Sequence, residues 1–239
     1  MTPMKEVRQI NGRCGKYNLR LHGAVAQNLG LRIVSGQLKP GLPLDGDIEA
    51  SENLGVSRSA YREGLRILNA KGLVHSRPYV GTRISMPEAW HLLDPDILSW
   101  MGKLSPNEKR LIDLFELQKI VEPHAAALAA ARRNDDQLED MWRALEDMRT
   151  HTLATEAGRL ADRQFHTALL HASDNPFLVT FASAMLTAIK WTRAHKEREI
   201  SASRELLPGY EQLVRAIAAR NSRKAHRTML DLLRIAQRD

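Results

Sequence analysis

The stretch LGVSRSAYREGL, residues 54–65, constrains this chain more than any other. Gly55 interrupts a helical pattern, and Ser57 is placed to cap a new helix running to about Ala70. Along that helix Val56, Tyr61, Leu65 and Leu68 form the apolar set, while Ser57, Arg58, Ser59 and Arg62 form a polar and basic one. A helix lying in the major groove of DNA needs this division, with short polar or basic residues in its first turns and apolar residues against a scaffold. A solvated arginine face is the alternative for an isolated helix, so the flanking segments have to decide.

Upstream, Leu21, Val25, Leu29 and Ile33 recur at four-residue steps, which predicts an amphipathic helix from Leu21 to Ser35 ended by Gly36. The loop KPGLPLDG (39–46) follows, and its Asp45 can cap a second helix over roughly 47–54. Downstream, LVHS (73–76) and TRIS (82–85) read as two extended segments joined by RPYVG, a small hairpin. Helix, helix, tight turn, helix and hairpin is the order of a winged helix-turn-helix.

Charge supports the same partition. Of the 35 Lys and Arg in the 239-residue chain, 13 precede residue 87, against 6 of the 28 Asp and Glu. The first 86 residues therefore carry the whole net charge of +7, and the remaining 153 hold 22 of each sign. Glycine is concentrated in the first part (11 of 14), whereas all four tryptophans lie in the second. A basic segment beside a neutral one points to two domains and to a polyanion partner for the first. The expected divisions are a basic arm over 1–20 (Lys5, Arg8, Arg13, Lys16, Arg20), a winged helix-turn-helix over 21–86, and a second, all-helical domain over 87–239.

After Pro87 the pattern is helical almost throughout. Ser105-Pro106-Asn107-Glu108 reads as a capping box opening a helix that Pro123 is expected to bend. Asn134 starts another through Met148, a third covers 156–172, Asn175-Pro176 opens a long one to about Ser201, and two shorter helices close the chain. The expected fold class is mainly α: an N-terminal winged helix-turn-helix with a small β-hairpin, then a C-terminal all-α bundle. The single cysteine, Cys14, allows no internal disulfide, and there is neither an apolar run of membrane-spanning length nor an apolar signal segment. A cytoplasmic protein without membrane contact is expected.

The segment LKPGLPLDGDIEASENLGVSRSAYREGLRILNAKGLVHSRPYVGTRI resembles the winged-helix domain of GntR-family transcriptional regulators. That family reads approximately G-x-L-x-P-G, then L-G-V-S-R-x-x-x-R-E-x-L-x-x-L-x-x-x-G-L-V, then a glycine in the wing. The resemblance implies DNA contacts from Ser57, Arg58, Ser59 and Arg62, with the wing residues Arg77, Tyr79 and Gly81 approaching the minor groove. Where many members carry an arginine near the start of the second helix, this chain has Ile48, among the acidic Asp45, Asp47, Glu49 and Glu52.

The helical remainder is similar to the FadR branch of that family, through FELQKIVEP, ADRQFHTALL, DNPFL and YEQLVRAIAARNSRKAHRTML. The resemblance implies an FCD-type domain that binds a small organic or sugar acid. Many members hold a divalent, zinc-like metal with one Asp and three His; Asp162 and His166 match the first pair, but Tyr210 and Leu232 stand at the other two positions. The reading adopted is an Asp162–His166 hydrogen bond inside a polar pocket, with a bound metal as the alternative. Gln118 replaces an arginine that in relatives can hold an acidic effector, and Arg159, Arg163 or Arg193 are candidates for its role. Trp90 and Trp100 are expected in a seam between the domains.

Together these features predict a homodimeric, sequence-specific regulator of double-stranded operator DNA, a metabolite-responsive repressor rather than an enzyme. The chain has no HExxH, no glycine-rich phosphate loop and no Ser/His/Asp set in recognisable context. The alternatives are a nonspecific architectural DNA binder and a helical metal-dependent enzyme with a DNA-binding appendage.

Overall fold

The computed structural model describes residues 21–104, 108–181, 186 and 200–237. The basic arm, the start of the expected capping box at 105–107, and Arg193 lie outside the described residues, as does most of the helix expected from Pro176 to Ser201. Contacts divide the chain after Leu104 into two compact units.

The first unit contains α1 (Leu21–Val34), α2 (Asp47–Leu54), α3 (Arg58–Ala70), β1 (Val74–Arg77), β2 (Gly81–Ile84), a 3-10 turn (Pro87–Ala89) and α4 (Pro95–Met101). Val25, Leu29 and Ile33 of α1 are buried with Tyr61, Leu65 and Leu68 of α3, whereas Leu21, expected on the same face, is exposed and Val56 is only partly buried. Gly55 ends α2 in the left-handed region (φ 65°), where glycine carries no Cβ penalty, and this reverses the chain into α3. The strands are antiparallel in the register Val74↔Ile84 to Arg77↔Gly81, one residue from the bounds expected for each.

Three features of this unit depart from the sequence reading. Asp45 does not cap α2; Gly46 holds that position and no side chain caps it. The Pro/Gly loop is not merely a connection, because Pro43 bridges Arg83 and Leu44 N–H donates to Thr82 O at 2.9 Å, laying it along β2. Residues 87–104, grouped by sequence with the helical half, pack in the first unit. Trp100 lies directly against Gly30 of α1, where an added Cβ would come within 2.2 Å of the indole. Trp90 Nε1–H donates to Ser85 O at 3.0 Å. Both buried tryptophans thus make these contacts within the first unit. Lys71, at the end of α3, anchors the same segment through Asp94 (2.8 Å) and Asp96 (2.7 Å). Burial pulls its ammonium pKa down, but these two partners outweigh burial and leave it raised.

The second unit contains α5 (Glu108–Arg132), α6 (Asp135–His151), α7 (Glu156–Ala172), helical residues 176–181, α8 (Ile200–Ala218) and α9 (Ser222–Gln237). There is no strand in it among the described residues. Met141, Leu145, Met148, Phe165, Leu169, Leu213, Ile217 and Met229 form its core. α5 runs on through Pro123. Asn134 caps α6 as expected: its Oδ1 accepts from Gln137 N–H at 2.8 Å, while Gln137 Oε1 accepts from Asn134 N–H at 2.9 Å. Asn134→Ala removes half of this reciprocal pair and should lower the stability of the unit by about 1 kcal/mol, measured by urea unfolding, with DNA affinity unchanged. Among the described residues, no helix is long and apolar enough to cross a membrane.

Candidate functional site

Two groups of residues have chemistry beyond packing, one in each unit. The first is the outer face of α3. Ser57 caps the helix by accepting from Ala60 N–H at 3.2 Å, and its hydroxyl lies 3.0 Å from that of Ser59. Ser57, Arg58, Ser59 and Arg62 are all exposed, while Tyr61 and Leu68 on the opposite side are fully buried. The sequence-predicted set is thus brought together on one solvent-facing surface at the start of a helix. Burial, then the nearby Asp47 and Asp45 carboxylates, push the Tyr61 hydroxyl up to about 12, so the residue beneath this surface stays neutral. Arg58 has no ion pair or hydrogen bond among the described residues, whereas Arg62 Nε lies 3.5 Å from Asp47 Oδ2. Ile48, at the position where many relatives carry arginine, is half exposed among acidic neighbours.

The hairpin turn projects from the same unit. Tyr79 is completely exposed and adopts φ 62°, and Gly81 adopts φ 84°. Arg77 and Val80 beside them are exposed as well. A left-handed tyrosine is uncommon and costs conformational energy, so the tight turn holds its ring outward at the tip.

The second group is buried between α5, α7 and α8. Asp162 and His166, one turn apart on α7, meet Tyr210 of α8. The Tyr210 hydroxyl donates to Asp162 Oδ1 at 2.8 Å and lies 3.1 Å from His166 Nε2. On the other side of the ring, His166 Nδ1 is 3.0 Å from Glu122 Oε1, a close electrostatic contact without hydrogen-bond alignment. Gln118 Nε2–H donates to that same oxygen at 3.2 Å. All five side chains are at least nine-tenths buried, and Glu122 Oε2 has no hydrogen-bond partner among the described residues.

Gln118, Asp162, His166 and Tyr210 are therefore brought together, as the sequence suggests. Glu122 belongs with them; its spacing of four from Gln118 on α5 was the signal available for it. Arg159 is not part of the cluster: its guanidinium is held by Glu156 at 3.0 Å and by Ala154 O at 2.9 Å. Arg163 likewise pairs with Glu156, at 3.2 Å.

The described residues do not fit a divalent ion. Zinc requires a set of nitrogen, sulfur or carboxylate donors about 2 Å away, usually four in a closed site. Here the Tyr210 hydroxyl already engages both facing atoms, donating to Asp162 Oδ1 at 2.8 Å and lying 3.1 Å from His166 Nε2. Leu232, buried at the remaining family position, offers no donor and packs so closely on Gly209 that a Cβ there would approach it to 2.5 Å. Among the described residues, no group of three or more His, Cys, Asp or Glu is arranged to hold a metal.

Comparison with known proteins matches these two units in turn. Residues 21–84 match the profile of bacterial regulatory proteins of the gntR family, and residues 113–234 match that of the FCD domain. The uncharacterised HTH-type transcriptional regulator YieP of Escherichia coli K12 is 36% identical over 162 residues, 66% of this chain and 70% of that protein. The galactonate operon transcriptional repressor of the same strain is 32% identical over 157 residues, 66% of this chain and 69% of that one. The solved Streptococcus agalactiae GntR structure superposes with a TM-score of 0.51 at 26% identity, covering 91% of this chain and 99% of that one.

Proposed function

The chain belongs to the gntR family of bacterial regulatory proteins, with an FCD domain behind its winged helix, and from that premise we propose that it is a metabolite-responsive repressor acting as a cytoplasmic homodimer. The observation that carries this reading is the capped start of α3, which presents Ser57, Arg58, Ser59 and Arg62 outward from an apolar base. In this reading α3 enters the major groove. Its arginines face base edges or phosphates, and Arg77, Tyr79 and Gly81 bring the wing to the minor groove.

The cluster of Gln118, Glu122, Asp162, His166 and Tyr210 is the proposed effector site. Its effector is a small organic or sugar acid, a class supported by the name of the galactonate repressor among the relatives. The buried acceptors suit the hydroxyl groups of such an acid, and its carboxylate requires a cationic donor, for which Arg159, Arg163 and Arg193 are the candidates. Arg159 is engaged with Glu156 and would have to exchange partners to serve. No metal takes part in this proposal. Effector binding favours a form with lower operator affinity, so the two sites are coupled reciprocally.

The test is selection of source-genome fragments by the purified full chain at near-physiological salt. Enrichment of one short inverted repeat, released by a hydroxylated acid from a panel, is the expected result. Absence of enrichment, with and without metabolite pools, would instead identify an architectural DNA binder whose affinity is set by salt alone.

A further inference from the structure

We propose that Asp47 is a specificity-determining residue, which braces Arg62 for reading a guanine and discourages it from settling on phosphate. The inference rests on Arg62 facing the groove, as proposed above. The two arginines of the α3 face differ in one respect: Arg58 has no partner among the described residues, whereas Arg62 Nε lies 3.5 Å from Asp47 Oδ2. Asp47 is the first residue of α2, and the Gly55 turn packs α2 against α3 so that this carboxylate reaches the DNA-facing surface.

The atom contacted matters. A carboxylate at Nε leaves both terminal nitrogens of the guanidinium as outward donors. End-on bidentate bonding to guanine N7 and O6 uses those two nitrogens. Holding the side chain before DNA arrives also reduces the conformational freedom lost on binding. The same negative charge acts against the competing contact. Both side chains remain substantially exposed, 68% for Arg62 and 46% for Asp47, so a phosphate approaching Arg62 also approaches a carboxylate. Guanine, a neutral acceptor, meets less repulsion there than phosphate does. Asp45, Glu49 and Glu52 are exposed on or beside the same helix and add negative charge, but none pairs with Arg62 among the described residues.

The test uses the full chain and duplexes selected from a random pool by the parent protein, each G·C pair of the site being replaced in turn. Operator preference is the ratio of affinities for the selected duplex and for its single-pair variants or random DNA. Asp47→Asn should raise affinity for random DNA and reduce discrimination at one G·C position by roughly tenfold. Asp47→Glu should retain most of it. With Arg62→Ala in place, Asp47→Asn should have no further effect at that position.

If Asp47→Asn leaves discrimination unchanged while Arg62→Ala lowers it, the brace is overturned and the reading role of Arg62 stands. Equal effects of Asp47→Asn with and without Arg62 would also overturn it, by showing a general charge effect. No effect from Arg62→Ala would remove Arg62 from the proposed DNA contacts and the brace with it.

Discussion

Arg58→Ala should bind the selected operator about 5- to 150-fold more weakly than the parent chain, a loss of roughly 1–3 kcal/mol, in a fluorescence polarisation titration at fixed salt. The expectation follows from its place as the first residue of a helix whose N-terminal N–H groups point outward, with the Ser57 cap holding that start in register. Arg58 is exposed and has no intramolecular partner among the described residues, so removing it breaks no ion pair and should leave the melting curve unchanged. Random DNA distinguishes the two kinds of contact. A base reader loses affinity for the operator alone, whereas a phosphate contact loses it on every sequence and flattens the salt dependence. No loss on either duplex would rule out α3 as the recognition helix.

Tyr210→Phe is the second large effect, and it falls on the helical unit. One phenol hydroxyl serves both Asp162 Oδ1 and His166 Nε2, and all three residues are buried. Deleting it withdraws a hydrogen bond from each of two buried polar groups, at a cost of about 1–3 kcal/mol. Thermal or urea unfolding of the full chain would read this loss, and the effector concentration needed to release operator should rise in parallel. Unchanged stability and release would show that the hydroxyl bridges nothing of consequence. Because the phenol stands where an ion would need open coordination, a chelator should change neither quantity in the parent chain. A fall in melting temperature on chelation would overturn the metal-free proposal.

Local signals made much of the fold legible. A serine that accepts from an N–H three residues on, a glycine at φ 65°, and apolar residues every third or fourth position act within one or two helical turns. The order of α1, α2, α3 and the hairpin follows from them, as do the starts of α6 and α7 and the place of Asp162 and His166 on one helix face. The hydrogen bond expected between those two is replaced by contacts through the Tyr210 hydroxyl. The expected Asp45 cap failed for an equally local reason: the chain passes through Gly46 in extended conformation, which makes glycine the residue before the first turn of α2.

The rest depended on contacts between residues distant in the chain. Nothing near Trp100 in sequence shows that its ring will lie on Gly30, yet that contact, with Lys71 held by Asp94 and Asp96, assigns residues 87–104 to the first unit. Nothing near Pro43 shows that a Pro/Gly loop will pair with Arg83. Glu122 and Tyr210 each lie 44 positions from His166, on opposite sides of it in sequence. Helix periodicity determines which face of each helix turns inward; the packing of α5, α7 and α8 against one another decides which polar groups on those faces meet. By itself the sequence determined the winged helix, the helical character of the second unit and the arginine face of α3, because each depends on short-range geometry. Only the tertiary structure decided that Tyr210 bridges Asp162 and His166 and that Asp47 reaches Arg62, because both depend on how separate helices pack.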